Sequence, residues 1–489
     1  MIRDGRNREL LAGALATPLA VALVASGAPA ASGALVWRAP TGQAAPTRSA
    51  SPRQQLHSMS LAQRVGQLLM VGTPATHVSA GARRAITGHH VGSVVLTGRS
   101  TKGVAGTRQV VNELQSLVDR RSTAGVPLYV ATDQEGGYVQ VLRGPGFSRI
   151  PTALTQGTWS ARTVKARART WGNQLRRAGV SLNLAPVMDT VSRSFAPSNR
   201  PIGYYEREFG HTPHRVLMKG TAFANGMRAA GLQVAIKHFP GLGRVRGNTD
   251  VSSGVTDRVT RRHSGSIRPF RVGVRAGAHF VMVGTAEYAK IDKGTPAAFS
   301  HTIVTGMLRH DLGFDGVVIS DDLGQAKQVQ QWSPGRRAVK FIRAGGDMVL
   351  TVRPSTVAPM AHALIRRAEH VPAFRSKVDH AALRVLRAKN QADLEATASS
   401  AWPRLVVDGV LGPHTTRATQ HWLGVIVDGI WGPVTTRAFQ RRVGSSPDGV
   451  IGPHTVAAAQ RFLGIRRDGA SRLDHRTVRA LQRYLNAHR

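Results

Sequence analysis

From about Ser58 to Lys389 the chain alternates between short, largely apolar runs and longer stretches of helical pattern. The apolar runs are VGSVVLTG (91–98), VPLYVATD (126–133), VSLNLAPVMD (180–189), LQVAIKHF (232–239), HFVMVGTA (279–286), GVVISDD (316–322) and DMVLT (347–351). Helix-like segments lie between them at Thr107–Arg120, Ser160–Ala178, Pro213–Ala230 and Pro334–Ala344. This order predicts a parallel sheet with crossover helices. Roughly 330 residues of it suit a (β/α)8 TIM-like barrel with long loops, in the α/β class. A doubly wound sheet has the same order. No GxGxxG loop opens a helix after the first run, so a dinucleotide-binding version has little support.

The last residues follow a different rule. Asp-Gly recurs at 408–409, 428–429, 448–449 and 468–469, a 20-residue period. Gly-Pro follows at 412–413, 432–433 and 452–453, while Thr415, Thr435 and Thr455 and Gln420, Gln440 and Gln460 keep the phase. Each unit reads as a turn at Asp-Gly, then a short helix with Pro at its first position and a stop at Gly424, Gly444 or Gly464. Such a unit cannot bury its own core, so the units must pack on one another in a small all-α domain. The fourth unit has lost Gly-Pro, and its Asp474 is placed to cap the helix, as in a terminal unit. The pattern resembles the peptidoglycan-binding repeats attached to bacterial wall hydrolases; a purely structural helical repeat is the other reading. Trp422 and Trp431 are candidate sugar platforms, although apolar residues at this spacing usually belong to a core.

The N-terminus has the anatomy of an export signal. Arg3, Arg6 and Arg8 precede an apolar run from Leu10 to Val24, and small residues follow through Ala28-Pro29-Ala30-Ala31. The run is short for a membrane span, though an uncleaved anchor has the same order. The expected organisation is a signal peptide at 1–31, a flexible Ala/Pro/Ser/Thr-rich linker at 32–55, a barrel at 56–395 and the repeats at 396–489.

Three apolar runs end in chemistry. The first gives Asp133-Gln134-Glu135-Gly136-Gly137, the second Lys237-His238-Phe239-Pro240-Gly241, and the third Ser320-Asp321-Asp322-Leu323-Gly324. Polar residues at strand C-termini are what a barrel enzyme needs, because its site lies at that face. With Glu206-Arg207-Glu208-Phe209-Gly210 and Asn183-Leu184-Ala185-Pro186-Val187-Met188-Asp189, these strings resemble the β-N-acetylglucosaminidases of glycoside hydrolase family 3, in the family order, over about residues 58–390. The resemblance implies a retaining β-N-acetylhexosaminidase with Asp321 as nucleophile. It implies sugar contacts from Asp133, Arg207, Lys237 and His238, a structural Asp189, and neither metal nor cofactor. Asp322 reads as a cap or supporting group. Glycosidic cleavage also requires a proton donor for the leaving oxygen.

Here the chain departs from the family. The well-studied enzymes have His after KHFPG and an Asp-x-His pair on a mobile loop as general acid. This chain has Leu242, and Asp250 is followed by Ser252 where the His belongs. A serine hydroxyl is too weak an acid to serve. Asp250 acting directly, with burial raising its pKa, is one solution; Glu287 and His263 are stand-ins; a barrel that binds glycan without cleaving it well is the third.

Composition changes this picture little. Hydrophobic residues make up 42%, enough for a real core. Lys and Arg number 66 against 27 Asp and Glu, for a net charge of +39. Only ten are lysines, and the arginines are scattered without zinc-finger or RNA-motif spacing, which argues against a specific nucleic-acid ligand. The expected partners are an N-acetylglucosamine-containing glycan and, through the repeats, peptidoglycan, with unspecific attraction to an anionic wall. A cationic adhesin is the remaining alternative. The absence of cysteine excludes disulfides and thioether lipid anchoring and leaves the compartment open. The expected location is secreted or wall-associated, without a stable membrane anchor.

Overall fold

The computed structural model describes residues 51–392, 405–423, 425 and 431–487. The expected signal peptide, most of the linker and the second Asp-Gly turn lie outside the described residues. Among those described, no helix is long and apolar enough to cross a membrane.

Eight parallel strands form the barrel: β1 (Leu69–Pro74), β2 (Ser93–Thr97), β3 (Tyr129–Thr132), β4 (Leu182–Asn183), β5 (Gln233–Phe239), β6 (Phe280–Val283), β7 (Val317–Ser320) and β8 (Val349–Thr351). Each pairs with its neighbour in sequence, and β8 also pairs with β1. The seam between β7 and β8 is narrow. It is closed by the Ile319–Met348 bridge, by Ser320 N–H to Met348 O (2.9 Å) and by Leu350 N–H to Ser320 Oγ (3.0 Å). The (β/α)8 expectation holds, and the doubly wound alternative is discarded.

The strands read as unbroken apolar runs because both faces are buried. In β1, Met70 points into the barrel with Tyr129, Phe280, Met282 and Ile319, while Leu69 and Val71 pack outward against the helices. The strand absent from the sequence expectation is β1. Its LMVGTP follows the helix Leu61–Gln67 at once, with no turn residue to mark the change. Conversely, the run at 180–189 yields only a two-residue ladder. Pro186 lacks an N–H, and pairing resumes at a single bridge from Val187 to Lys237.

Three helices match their expected positions within a residue, Ala161–Arg177, Pro213–Ala229 and Pro334–Ala344, while the one expected at Thr107–Arg120 runs from Gly103 to Gln115. The last barrel helix, Pro372–Gln391, adds Val385 and Ala388 to the interior cluster. Beside them the fully buried Lys389 ammonium donates to Gln67 Oε1 (2.8 Å), Gly92 O (2.7 Å) and Pro127 O (2.8 Å), under the Tyr129 ring. These acceptors precede β1, β2 and β3, so the lysine ties the strand N-termini together and leaves the opposite face to the site.

The repeats form helices at Pro413–Trp422, Pro433–Val443, Pro453–Phe462 and His475–Ala487. Asp474 does cap the fourth helix, accepting from Thr477 N at 2.8 Å. The fourth unit is not an end, however. Gln420 donates to Thr435 Oγ1 (3.0 Å), Gln440 to Thr455 (2.9 Å), Gln460 to Thr477 (3.0 Å), and Gln482 back to Thr415 (2.9 Å). The units close into a ring, which removes the exposed ends an open stack must cap. Trp422 and Trp431 are half-buried and pack against its core. Trp422 packs on Phe462 and Tyr484 (5.6 and 5.3 Å between centroids), and Trp431 on Phe439 (5.4 Å).

Replacing Lys389 by Met keeps the volume and strands three buried oxygens, so unfolding in urea should show a loss of at least about 3 kcal/mol. Burial pushes the Lys389 ammonium down to about 7, below its unfolded value of about 10.4. The folded state therefore binds this proton more weakly than the unfolded state. The wild type should gain stability as pH rises from 7 to 10, a slope absent from Lys389→Met.

Candidate active site

The polar residues at the strand C-termini converge. Asp133 lies one residue beyond β3 and Asp321 one beyond β7, while Lys237 and His238 lie within β5 near its end. Arg207 is delivered by the long segment after β4.

At the strand C-termini lies a largely buried charged cluster. Lys237 Nζ lies 2.5 Å from Asp133 Oδ1 and 2.7 Å from Glu135 Oε1. Arg207 forks onto Glu135, Nε to Oε2 at 2.9 Å and Nη2 to Oε1 at 2.8 Å, and its Nη1 reaches Pro201 O at 2.7 Å. Burial alone would raise the Glu135 carboxyl, but the charges and hydrogen bonds of Arg207 and Lys237 outweigh it and hold it at about 2. Burial would also lower both cations, yet Glu135 raises Arg207, and Asp133 and Glu135 raise Lys237. All three stay charged in a dry site. Glu135, quoted in the sequence string without a role, is the hub. Its signal was its position two residues beyond Asp133. On the other side of Arg207, Glu208 is buried with neither carboxylate oxygen hydrogen-bonded, and burial pushes it up to about 7. The Arg207 charge is therefore matched by Glu135, not by its chain neighbour.

Asp189 is structural, as expected. Its Oδ2 lies 2.7 Å from His238 Nδ1, and its Oδ1 accepts from Leu242 N at 2.7 Å. The carboxylate assigns the proton to Nδ1 and leaves Nε2 facing Arg207 Nη2 at 3.4 Å. It also fixes the start of the next loop, where the Leu242 side chain is buried in the core.

That loop carries Asp250 and is stitched on both sides. Asn199 Nδ2 donates to Leu242 O (2.8 Å) and Val245 O (2.7 Å). Lys327 N donates to Asp250 O (3.0 Å), and Gln328 N to Thr249 O (3.1 Å). The crowding protein, then the charge of Asp321, push the Asp250 carboxyl up to about 6, against the lowering pull of Arg207 and His238. Its side chain stays accessible to solvent, which weakens the desolvation part and leaves the Asp321 charge as the firmer cause. Asp250 and Asp321 thus face one site. Ser252 only closes the turn, its N–H donating to Asn248 O at 2.9 Å. Of the stand-ins, Glu287 pairs through its backbone with Thr256, just past the loop. His263 is exposed and lies in the field of Asp311, the last residue of the helix that descends from β6, away from the strand C-termini.

Asp321 Oδ1 accepts from Asp322 N (2.9 Å), and its own N–H is bound to Val283 O (2.9 Å). Asp322 supports the turn, accepting from Gly324 N (2.8 Å), Gln325 N (3.1 Å) and Val352 N (3.1 Å). Burial raises it and these hydrogen bonds oppose the rise. Gly324 is required there, since a Cβ would lie 1.9 Å from Thr351 Oγ1. Among the described residues, no group of three or more His, Asp or Glu side chains could hold a metal ion.

A barrel with carboxylates and cations at its strand C-termini is the framework of a glycoside hydrolase. The profile of the glycosyl hydrolase family 3 N-terminal domain matches residues 60–388, and the chain belongs to that family. It is similar to the β-N-acetylhexosaminidase of Beutenbergia cavernae, with 53% identity, a TM-score of 0.67, and coverage of 68% of this chain and 99% of that one. It is similar to a family 3 β-N-acetylglucosaminidase from Paenibacillus, with 27% identity, a TM-score of 0.62, and coverage of 71% and 65%. A β-hexosaminidase of Stenotrophomonas maltophilia is 31% identical over 324 residues, 65% of this chain and 92% of that protein. The protein is a glycoside hydrolase of the β-N-acetylhexosaminidase type, and its substrate is a carbohydrate.

Replacing Glu135 by Gln keeps the shape and removes the charge between the two cations. A loss of about 3 kcal/mol in urea unfolding and a fall of about 100-fold in kcat/KM on an aryl N-acetylglucosaminide are expected. Wild-type values in both would show that Asp133 alone holds Lys237 and Arg207.

Proposed function

We propose that this protein is a secreted, retaining exo-β-N-acetylhexosaminidase that acts on peptidoglycan or its N-acetylglucosamine-containing fragments. The observation that carries the reaction is the pair Asp321 and Asp250 above the Lys237–Glu135–Arg207 cluster. The terminal sugar rests on Lys237, Arg207, His238 and Asp133, whose donors and acceptors suit pyranose hydroxyls. Asp321 attacks the anomeric carbon as Asp250 gives its proton to the departing oxygen. Asp250, now ionised, then takes a proton from water, and the water oxygen displaces Asp321 and restores the acid. Burial and the charge of Asp321 together raise Asp250 and do what the missing histidine would do, keeping a carboxylic acid protonated towards neutrality. The export-like N-terminus supports secretion, and the resemblance of the repeats to wall-binding modules supports peptidoglycan as the substrate. No stable membrane anchor and no specific nucleic-acid partner are part of the proposal.

Ser252 in place of the expected histidine favours a second reading, a wall-binding protein of weak catalytic power. Retention on insoluble peptidoglycan without turnover of any glycoside would support it.

Release of 4-nitrophenol from its β-N-acetylglucosaminide is expected from the wild type and not from Asp321→Asn; full turnover in that variant would overturn the nucleophile. Asp250→Asn should lose about 10²–10⁴-fold on substrates with poor leaving groups, and azide, which needs no base, should rescue the second step.

The acid must hold its proton, so kcat/KM should fall as pH rises through about 6, the value towards which Asp250 is pushed. That basic limb should be missing in Asp250→Asn.

A further inference from the structure

Among the described residues, the aromatic side chains that face solvent are three tyrosines: Tyr138 (61% exposed), Tyr204 (51%) and Tyr205 (40%). They are not scattered. Tyr205 packs edge-on against both others, with ring centroids 5.9 Å from Tyr138 and 5.0 Å from Tyr204. Scattered exposed aromatics need no explanation, but a contiguous cluster marks a binding surface.

The cluster stands on the loops that carry the site. Tyr138 is at the tip of the hairpin whose first strand, Gln134–Gly136, contains Glu135. Tyr205 is two residues before Arg207. The segment bearing Tyr204 and Tyr205 is joined to the acid loop by Arg200 N to Arg246 O (3.1 Å). The platform therefore adjoins both the sugar-binding cations and the loop of Asp250. It is also held in place from behind. Arg99 Nη2 donates to Tyr138 O (2.7 Å), Arg143 Nη2 to Gly137 O (3.2 Å), and the Arg200 guanidinium lies 4.5 Å from the Tyr204 ring centre. Rings fixed in advance lose little freedom on binding.

We infer that Tyr138, Tyr204 and Tyr205 form the leaving-group subsite, a platform for the second pyranose ring of a β-linked substrate. The assignment rests on the N-acetylglucosaminidase reading of the pocket and adds which part of the glycan the enzyme grips. The largely buried charged cluster takes the terminal sugar, so the rest of the glycan extends towards the exposed side, where Asp250 and the tyrosines lie. A pyranose presents an apolar C–H face to an aromatic ring and its hydroxyls to water, which suits half-exposed tyrosines. The second ring can be neutral N-acetylglucosamine or the acidic muramic acid type, and both share that face.

The experiment compares kcat/KM on three substrates: N-acetylglucosaminyl β-fluoride, which has no leaving ring, and β-linked disaccharides with a neutral or an acidic second sugar. In Tyr204→Ala and Tyr205→Ala the ratio of disaccharide to fluoride should fall about tenfold, the loss of one stacking contact. The disaccharide with the larger fall identifies the second sugar. An unchanged ratio, or an equal fall on fluoride and disaccharide, overturns the assignment. A wild type that turns over neither substrate would refute the hydrolase reading itself. Saturation-transfer NMR with either disaccharide then decides the subsite without turnover. Contacts to the second ring that weaken in Tyr205→Ala support it, and contacts that persist overturn it.

Discussion

The buried carboxylate of Glu135 is the interaction on which the site depends. Without it, Lys237 and Arg207 would be two cations brought together in a dry pocket, each costly to desolvate and each repelling the other. With it they form a cluster in which every charge has a partner at hydrogen-bond distance. The cluster also joins three barrel elements: the hairpin after β3, the segment after β4, and β5 itself. One carboxylate thus fixes both the electrostatics of the site and the relative positions of the loops around it. The aromatic platform inherits that order, since Tyr138 and Tyr205 stand a few residues from Glu135 and Arg207.

In the proposed reaction, proton delivery differs from the family arrangement named above. There a histidine partners the acid on a mobile loop. Here the loop is anchored by Asn199 on one side and by the backbone of Lys327 and Gln328 on the other. Leu242 has the matching role, its side chain filling core space and its N–H completing Asp189.

The two folded parts share one device. In each, a buried polar side chain gathers backbone and side-chain oxygens from separate segments: Lys389 at the floor of the barrel, and the glutamine of each repeat in the ring. Buried polar groups are tolerated because they are satisfied. Such bonds specify which segments meet, which apolar contact alone does not.

Strand and helix positions were legible because burial on both faces of a barrel strand leaves an uninterrupted apolar run and two of the helices carry Ser160 and Thr212 as caps. Asp133, Lys237, His238 and Asp321 were legible because each ends or follows such a run. The first strand was not legible because no turn separates it from its helix, and the role of Glu135 was not because its spacing from Asp133 is its one local mark. Sequence by itself determined the alternation of strands and helices, the repeat period and the residue types at the strand ends, since these follow from local pattern and spacing. Only the tertiary structure decided that Glu135 bridges Lys237 and Arg207, that Asp250 lies in the field of Asp321, that the fourth repeat closes on the first and that Tyr138 packs on Tyr205. Each is a contact between residues far apart in the chain, and charge, hydrogen bonding and stacking act through distance in space, which a linear pattern does not contain.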